Sequence, residues 1–382
     1  MRKCISFFRR SFLPVLLVLM LLPAACLSAA VEDLPLAVTY DALEDPEFGA
    51  VFFGCTPAEF TADGFMPGDS CSVALSNGFV LDDVPVYTGY YTKTDCPAIV
   101  LYPGYAHPAF TYVNTGDMWT RSGTAAGDTV TVTLLEAGRY LTVEESLSAV
   151  YSNDRDTYAS DIVFSNFRQL SGGRLRAGMF YRGASPVDDR NSRAAITDSL
   201  IREAGIGFIL DLADTSEKAA AYPLFAGSRF EELYSEGSAA CLGLTAAYRD
   251  PDYAAALADG LRAMMKQDRP VYIHCTEGKD RTGFVCILLE ALAGATREEL
   301  ERDYMITYDN YYGINAADTP EKYAANVQVR FLDMAEWLAG VPEGTDISVQ
   351  MLEEGARGYL RNTGMTDDEI DSLILYLTGS AS

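Results

Sequence analysis

The sequence predicts an α/β fold, with a central, mostly parallel sheet flanked by helices, preceded by a β-rich N-terminal domain. Three observations predict it. From about residue 151 onward, short apolar strands alternate with amphipathic helices, the pattern of a parallel sheet covered on both faces. Residues 31–150 instead carry short runs rich in Val, Phe, Tyr and Thr, separated by Gly, Asp, Asn and Pro turns. The chain has 382 residues, 49% of them hydrophobic, which is enough for two cores and long for one domain.

Residues 1–30 read as a signal sequence. Arg2, Lys3, Arg9 and Arg10 precede an apolar run at 12–22, and 24–30 is small and cleavable, with Ser28 and Ala30 before a cut at Val31. Cys26 after Pro23-Ala24-Ala25 offers a second reading, lipid attachment, and an uncut segment would be a third, an N-terminal anchor. The expected location is secreted or cell-envelope, on the outer face of the membrane, with membrane contact only through that anchor or lipid.

In residues 31–150, strands are expected near 51–53, 72–75, 99–102 and 129–134, with tight turns at Asn77-Gly78 and Gly127-Asp128. A small barrel or sandwich is the natural closure. No catalytic motif falls there, and His107 beside Pro108 reads as a loop or packing residue. In residues 151–382, strands are expected at 179–181, 208–212, 239–244 and 271–273. Helices are expected at 192–204, closed by Gly205, and from Pro251 to about Lys266. The stretch 283–292 is apolar all round, which marks a buried helix. Thr296/Glu299 and Thr366/Glu369 have capping-box spacing, and Thr319-Pro320 opens another helix.

Charge and histidine content exclude several function classes. A formal net charge of −25 is the wrong sign for neutralising nucleic-acid phosphates or anionic lipid. The chain has two histidines, His107 and His274, so no multi-histidine metal site can be built, and no G-x-S-x-G elbow is present. No pattern calls for a metal or an organic cofactor. Beyond residue 30 the cysteines are Cys55, Cys71, Cys96, Cys241, Cys275 and Cys286, with no C-x-x-C, so a disulfide framework that spares a reactive thiol is partial.

The stretch Val271-Tyr-Ile-His274-Cys275-Thr276-Glu277-Gly278-Lys279-Asp280-Arg281-Thr282-Gly283 carries the chemistry. A buried strand should end at His274, a tight loop run from Cys275 to Arg281, and a helix begin at Thr282. A phosphate dianion wants converging backbone N–H groups, and a loop feeding a helix N-terminus supplies them through residues 276–279. Gly278 lets the backbone bend close to the ligand. The same N–H groups and the helix dipole favour a thiolate at Cys275, the nucleophile for phosphorus. Arg281 can clamp two phosphate oxygens through its planar fork. Thr282 is placed to hydrogen-bond the sulfur as it leaves, and His274 to orient the loop. The general acid is open between Asp280 in the loop and Asp211 or Asp214 near a neighbouring strand end.

These residues resemble the His-Cys-x-x-Gly-x-x-Arg-Thr-Gly signature of the cysteine-dependent protein tyrosine phosphatases. The Gly278-Lys279-Asp280-Arg281-Thr282-Gly283 version is similar to their bacterial tyrosine/serine branch, which acts on phosphoproteins and phosphoinositides. Asn166-Phe167-Arg168-Gln169-Leu170 with Gly172-Gly173 resembles that branch's Asn-Phe-Arg-Asp-Leu-Gly-Gly segment. Met179-Phe180-Tyr181-Arg182-Gly183-Ala184 resembles its Tyr-Arg-Ser-Ala strand, and Asp211-Leu212 its Asp-Leu strand end. The resemblance covers about residues 160–380. It implies a tyrosine-phosphatase-like fold, phosphomonoester hydrolysis on phosphorylated proteins or phosphoinositides, and Asp280 as the acid. Gln169 for Asp, an inserted Ser171 and Ala213 where Arg is expected are departures. Two further readings are an extracellular inositol-polyphosphate phosphatase, with Arg168, Arg182 and Lys279 as a basic patch, and a non-catalytic phosphate-binding module.

Overall fold

The computed structural model describes residues 35–46 and 48–379. The segment 1–30 lies outside the described residues, and with it the signal, lipid and anchor readings. The chain divides into two units, one reaching Val113 and resuming over Asp117–Glu144, the other comprising Asn114–Gly116 and the chain from Glu145 onward.

The first unit is a closed barrel. Its strands are β1 (Ala37–Glu44), β2 (Val51–Phe53), β3 (Ser70–Leu75), β4 (Val80–Tyr87), β5 (Pro97–Val100), β6 (Ala109–Tyr112) and β7 (Thr129–Glu136), in the order β1-β2-β6-β5-β4-β3-β7. β7 pairs antiparallel with β1, so no edge is left unpaired. Alternation along β7 puts Val130 and Val132 inside, where Phe53, Phe60, Phe65 and Phe110 fill the barrel. Three short helices, α1 (Pro57–Ala62), α2 (Met118–Ser122) and α3 (Leu141–Leu147), interrupt what the sequence suggests is all β. α1 forms because Thr56 and Glu59 make a reciprocal capping box ahead of Pro57. His107 is indeed a packing residue, with Nδ1 on the Cys55 carbonyl at 3.0 Å and its ring against Phe52.

The second unit is a five-stranded sheet with helices. Its strands are β8 (Arg168–Gln169), β9 (Phe180–Gly183), β10 (Phe208–Asp211), β11 (Ala239–Cys241) and β12 (Val271–His274), ordered β11-β10-β12-β9-β8. β10 pairs in parallel with β11 and β12, and β12 with β9, while β8 runs antiparallel to β9. Parallel pairing brings the C-terminal ends of the inner strands together, so Asp211, His274 and Gly183 lie side by side in register. Loops leaving those ends are where sites form in such sheets.

The helices follow in order: α4 (Asp161–Phe164), α5 (Ala194–Glu203), α6 (Ser216–Ala221), α7 (Arg229–Ser235), α8 (Pro251–Met264), α9 (Asp280–Leu292), α10 (Arg297–Tyr312), α11 (Pro320–Asn326), α12 (Leu332–Ala339), α13 (Val349–Asn362) and α14 (Asp367–Thr378). α9 is buried on every side from Thr282 to Leu292, which its uniformly apolar sequence requires. It starts at Asp280, two residues before the expected Thr282. The apolar pattern begins only at Gly283, yet the Lys279 carbonyl already accepts from Gly283 N at 2.7 Å. A polar first turn leaves no hydrophobic mark, although an acidic Asp280 there suits the helix dipole. Both expected capping boxes, Thr296/Glu299 and Thr366/Glu369, form, and Thr319 precedes α11 without a side-chain cap. Among the described residues no helix is long and apolar enough to cross a membrane.

Candidate active site

Residues 275–279 leave the end of β12 and enter α9 as a tight loop whose carbonyls are held from outside. The Thr276 carbonyl accepts from Ser185 N at 3.1 Å. The Glu277 carbonyl accepts from the Tyr311 hydroxyl at 2.7 Å. The Gly278 carbonyl accepts from Arg182 Nη2 at 2.9 Å and from Asn166 Nδ2 at 3.2 Å. In a trans peptide the carbonyl and the next N–H point opposite ways. Fixing those three carbonyls outward therefore turns the N–H groups of Glu277, Gly278 and Lys279 inward. Among the described residues these amides have no protein acceptor. The loop is a cradle of backbone donors on a helix N-terminus, an arrangement whose chemistry suits a small anion.

Gly278 is required twice over. Its φ is +67°, in the left-handed region, and a Cβ there would lie 2.1 Å from the Gly183 carbonyl oxygen. Gly183 is equally constrained, since its own Cβ would meet the Tyr272 hydroxyl at 2.5 Å. That hydroxyl donates to the Ala184 carbonyl at 2.6 Å, locking β9 against β12 under the loop.

Cys275 opens the loop and is buried. Arg281 follows on the first turn of α9, with Nη1 on the Leu244 carbonyl at 2.8 Å and Nη2 on Thr276 Oγ1 at 3.3 Å. Burial works to lower the Arg281 pKa, but Cys275, Tyr253, Asp280 and Asp211 outweigh it and hold the guanidinium charged. The Thr282 hydroxyl is buried with no hydrogen-bond partner, so the expected bond to the sulfur is not made in this structure.

His274 is fully buried, with Nδ1 3.3 Å from the Cys275 carbonyl and Nε2 unpartnered. Burial pulls its pKa down to about 4, against the charge of Asp214, so the ring is neutral near pH 7. Asp211 is also fully buried, with Oδ1 accepting from the amides of Ala213 and Asp214 at 2.8 and 3.3 Å. Burial and the charge of Asp214 push its carboxyl well above the usual carboxylate range. Asp214 receives bonds from Tyr222 and Lys218 at 3.2 and 3.1 Å. Asp280 alone of the three candidate acids is open to solvent, its side chain 53% exposed.

The supporting arginines do not form the basic patch that the sequence suggests. Arg168 Nε and Arg182 Nη1 both donate to Asp303, at 2.7 and 2.6 Å, with Arg182 fully buried and Arg168 partly so. Lys279 is also occupied, with Nζ 3.2 Å from Glu277 and 3.7 Å from Asp280. Burial works against its charge, but Asp280 and Glu277 hold its pKa well above the usual lysine value. The reason is local: a cation buried beside a structural loop needs a counter-charge within the fold.

Several residues here escape sequence reasoning. Asn166 has φ +51°, and its amide joins Gly278, Thr307, Arg168 and Asn310. Its position at the head of the Asn-Phe-Arg segment is the one signal that could have found it. Asp303 and Tyr311 on α10 carry no local signal. Tyr253, on the first turn of α8, is buried with an unpartnered hydroxyl, and its phenol is among the groups that act on Arg281.

Comparison with known proteins identifies a family. The model of the tyrosine phosphatase family matches residues 162–379. A tyrosine-protein phosphatase of Nostoc commune is 31% identical over 119 residues, 29% of this chain and 40% of that protein. A Cupriavidus necator protein named provisionally as a tyrosine-protein phosphatase is 26% identical over 189 residues, 43% of this chain and 67% of that one. The chain thus spans under half the length of the first relative and about two thirds of the second. The family model covers more than half of the chain, and the chain belongs to the tyrosine phosphatase family.

Proposed function

We propose that the protein is a phosphomonoester hydrolase that removes phosphate from phosphotyrosine or phosphoserine in proteins through a cysteinyl-phosphate intermediate. The observation that carries this reading is the loop 275–279 itself, whose outward-tied carbonyls leave inward N–H groups between a cysteine and an arginine. The Cys275 thiolate attacks phosphorus while the bond from phosphorus to the leaving oxygen breaks, and the acid protonates that oxygen. Arg281 and the amides carry the charge of the three equatorial oxygens. In the second step water attacks the phosphocysteine, the carboxylate takes a proton from it, and the phosphorus–sulfur bond breaks to release inorganic phosphate. Thr282, with its hydroxyl otherwise unpartnered, would donate to the departing sulfur.

Asp280 is the general acid in this reading. It stands at the solvent side of the loop, where the leaving group must lie, whereas Asp211 is enclosed and occupied with turn amides. Segment 1–30 supports action outside the cytoplasm, on exported or envelope-exposed phosphoproteins. Fractionation of cells that express the full chain would test that part, since protein retained in the cytoplasm would remove it. The inositol-polyphosphate reading loses support because Arg168 and Arg182 are bound to Asp303.

The experiment is hydrolysis of p-nitrophenyl phosphate and of a phosphotyrosine peptide by the purified, reduced protein with a chelator present. Cys275→Ser is expected to abolish turnover. Asp280→Asn is expected to slow an alkyl phosphate, whose leaving group needs a proton, far more than p-nitrophenyl phosphate. No turnover by folded wild-type protein that still binds phosphate would instead favour the non-catalytic phosphate-binding module.

A further inference from the structure

Glu277 is held in the loop by its backbone and by its side chain. The carbonyl before it, of Thr276, accepts from Ser185 N at 3.1 Å, and its own carbonyl accepts from the Tyr311 hydroxyl at 2.7 Å. Its carboxylate accepts from the Tyr151 hydroxyl through Oε1 and lies 3.2 Å from Lys279 Nζ through Oε2. Ser185 and Tyr311 belong to the stretch 162–379 that the tyrosine phosphatase model matches, whereas Tyr151 stands before it.

The chain leaves the first unit at Glu144, and residues 148–158 then bring Tyr151 against the loop. Those residues carry no strand and a single turn of helix at Arg155–Thr157, so side-chain bonds set their place. The buried Arg193 donates to the Ser152 carbonyl at 3.0 Å and to Asn153 Oδ1 at 2.9 Å. The Tyr158 hydroxyl donates to the same Ser152 carbonyl at 2.7 Å, and Lys322 Nζ to the Ser148 carbonyl at 3.1 Å. The Tyr151 ring packs on Tyr311 and Tyr312, with centroids 5.4 and 5.6 Å apart, and the Arg193 guanidinium lies 4.8 Å from its centroid. A ring packed this way has little rotational freedom, so its hydroxyl stays on the carboxylate. Burial works to raise the Glu277 pKa, but Lys279, the Tyr151 hydroxyl and Arg193 outweigh it and hold the carboxyl below the usual glutamate value. The hydroxyl therefore donates to an ion, which makes the stronger kind of hydrogen bond.

We propose that Tyr151 is a positioning residue for the phosphate loop, and that residues 148–158, outside the family-matched stretch, are a working part of this active site. The inference rests on the phosphatase reading of the loop. Tyr151 restrains the Glu277 side chain while Ser185 and Tyr311 restrain the peptides on either side of it. Together they keep the Glu277 and Gly278 amides turned toward the anion, so that binding needs no reorganisation of the loop. Without the hydroxyl, the loop spends part of its time with those amides turned away, and phosphate affinity falls by the fraction lost.

The test is the dissociation constant for inorganic phosphate, with kcat/KM for p-nitrophenyl phosphate beside it, on the full chain. Tyr151→Phe keeps the ring stack and removes the hydroxyl. Phosphate affinity and kcat/KM should fall together by roughly three- to tenfold, the worth of one hydrogen bond. In a Glu277→Ala background the same substitution should have no further effect, because the two residues act through one contact. A merely structural tyrosine would instead lower Tm and leave the phosphate affinity of the folded protein unchanged. Wild-type affinity in Tyr151→Phe, or a full further loss in the Glu277→Ala background, overturns the proposal. If Tyr151→Phe does not fold, as judged by its melting curve, Glu277→Gln and Glu277→Ala decide. Both lose the charge, and only glutamine keeps an acceptor for the hydroxyl, so Glu277→Gln should bind phosphate roughly three- to tenfold tighter. Equal affinities overturn the proposal. Wild type that binds phosphate and hydrolyses nothing sinks the phosphatase reading alone, and the phosphate constants still judge Tyr151. Wild type that does not bind phosphate sinks both.

Discussion

Arg182 on β9 and Gly278 in the loop are joined by a 2.9 Å hydrogen bond from the guanidinium to the glycine carbonyl, across 96 positions of sequence. The same guanidinium holds Asp303 at 2.6 Å, and Asp303 also holds Arg168. One buried carboxylate thus orients the arginine that turns the Gly278 peptide. Asp303→Asn would leave the buried Arg182 and the partly buried Arg168 without their counter-charge, at a cost of about 3–5 kcal/mol. The expected result is a lower Tm by thermal unfolding, together with a lower kcat/KM in whatever fraction stays folded.

Gly278→Ala should damage the loop more than the fold. The new methyl group would collide with the Gly183 carbonyl at a φ that disfavours any side chain. A stability loss of about 1–3 kcal/mol is expected. Turnover should fall by at least about a hundredfold, because the displaced peptides carry the inward N–H groups. Near-normal turnover in this variant would mean that the cradle is not where phosphate binds.

His274 predicts an acid sensitivity with a defined sign. Its folded pKa of about 4 lies below the 6.5 of an ordinary histidine, so the unfolded chain takes up the proton first as pH falls. Stability therefore drops as pH goes from about 6.5 to 4, by at most about 3 kcal/mol from this residue. His274→Asn should flatten that part of the curve of unfolding free energy against pH, measured by urea denaturation. Equal slopes in the two proteins would remove His274 as the cause.

Tyr253→Phe separates stability from function. An unpartnered buried hydroxyl costs free energy, so its removal should leave Tm unchanged or raise it. A bound phosphate near Arg281 offers that hydroxyl an acceptor, and kcat/KM should fall by roughly tenfold, the worth of about one hydrogen bond to a charged group. A variant with wild-type kcat/KM would assign the hydroxyl no part in binding.

The chemistry of the loop is legible in the chain because it is local. Seven consecutive positions, Cys275 to Arg281, hold the sulfur, the backbone donors, the glycine and the guanidinium, and the apolar runs on either side announce a strand and a helix. The barrel's strands and turns are equally local, although whether they close as barrel or sandwich is settled by the pairing of β1 with β7, which no short-range pattern encodes.

What surrounds the loop is another matter. Tyr311, Arg182 and Asn166 reach it from 34 to 112 positions away, and such contacts leave no periodicity to read. The signs of the charges at Arg168, Arg182 and Lys279 are plain from composition, and they suggest a basic surface. Only the folded chain brings Asp303 and the Glu277 carboxylate within 3.2 Å of them. A charge acts on a substrate only if nothing nearer has neutralised it, and that is a property of three-dimensional distance, which the order of residues does not contain.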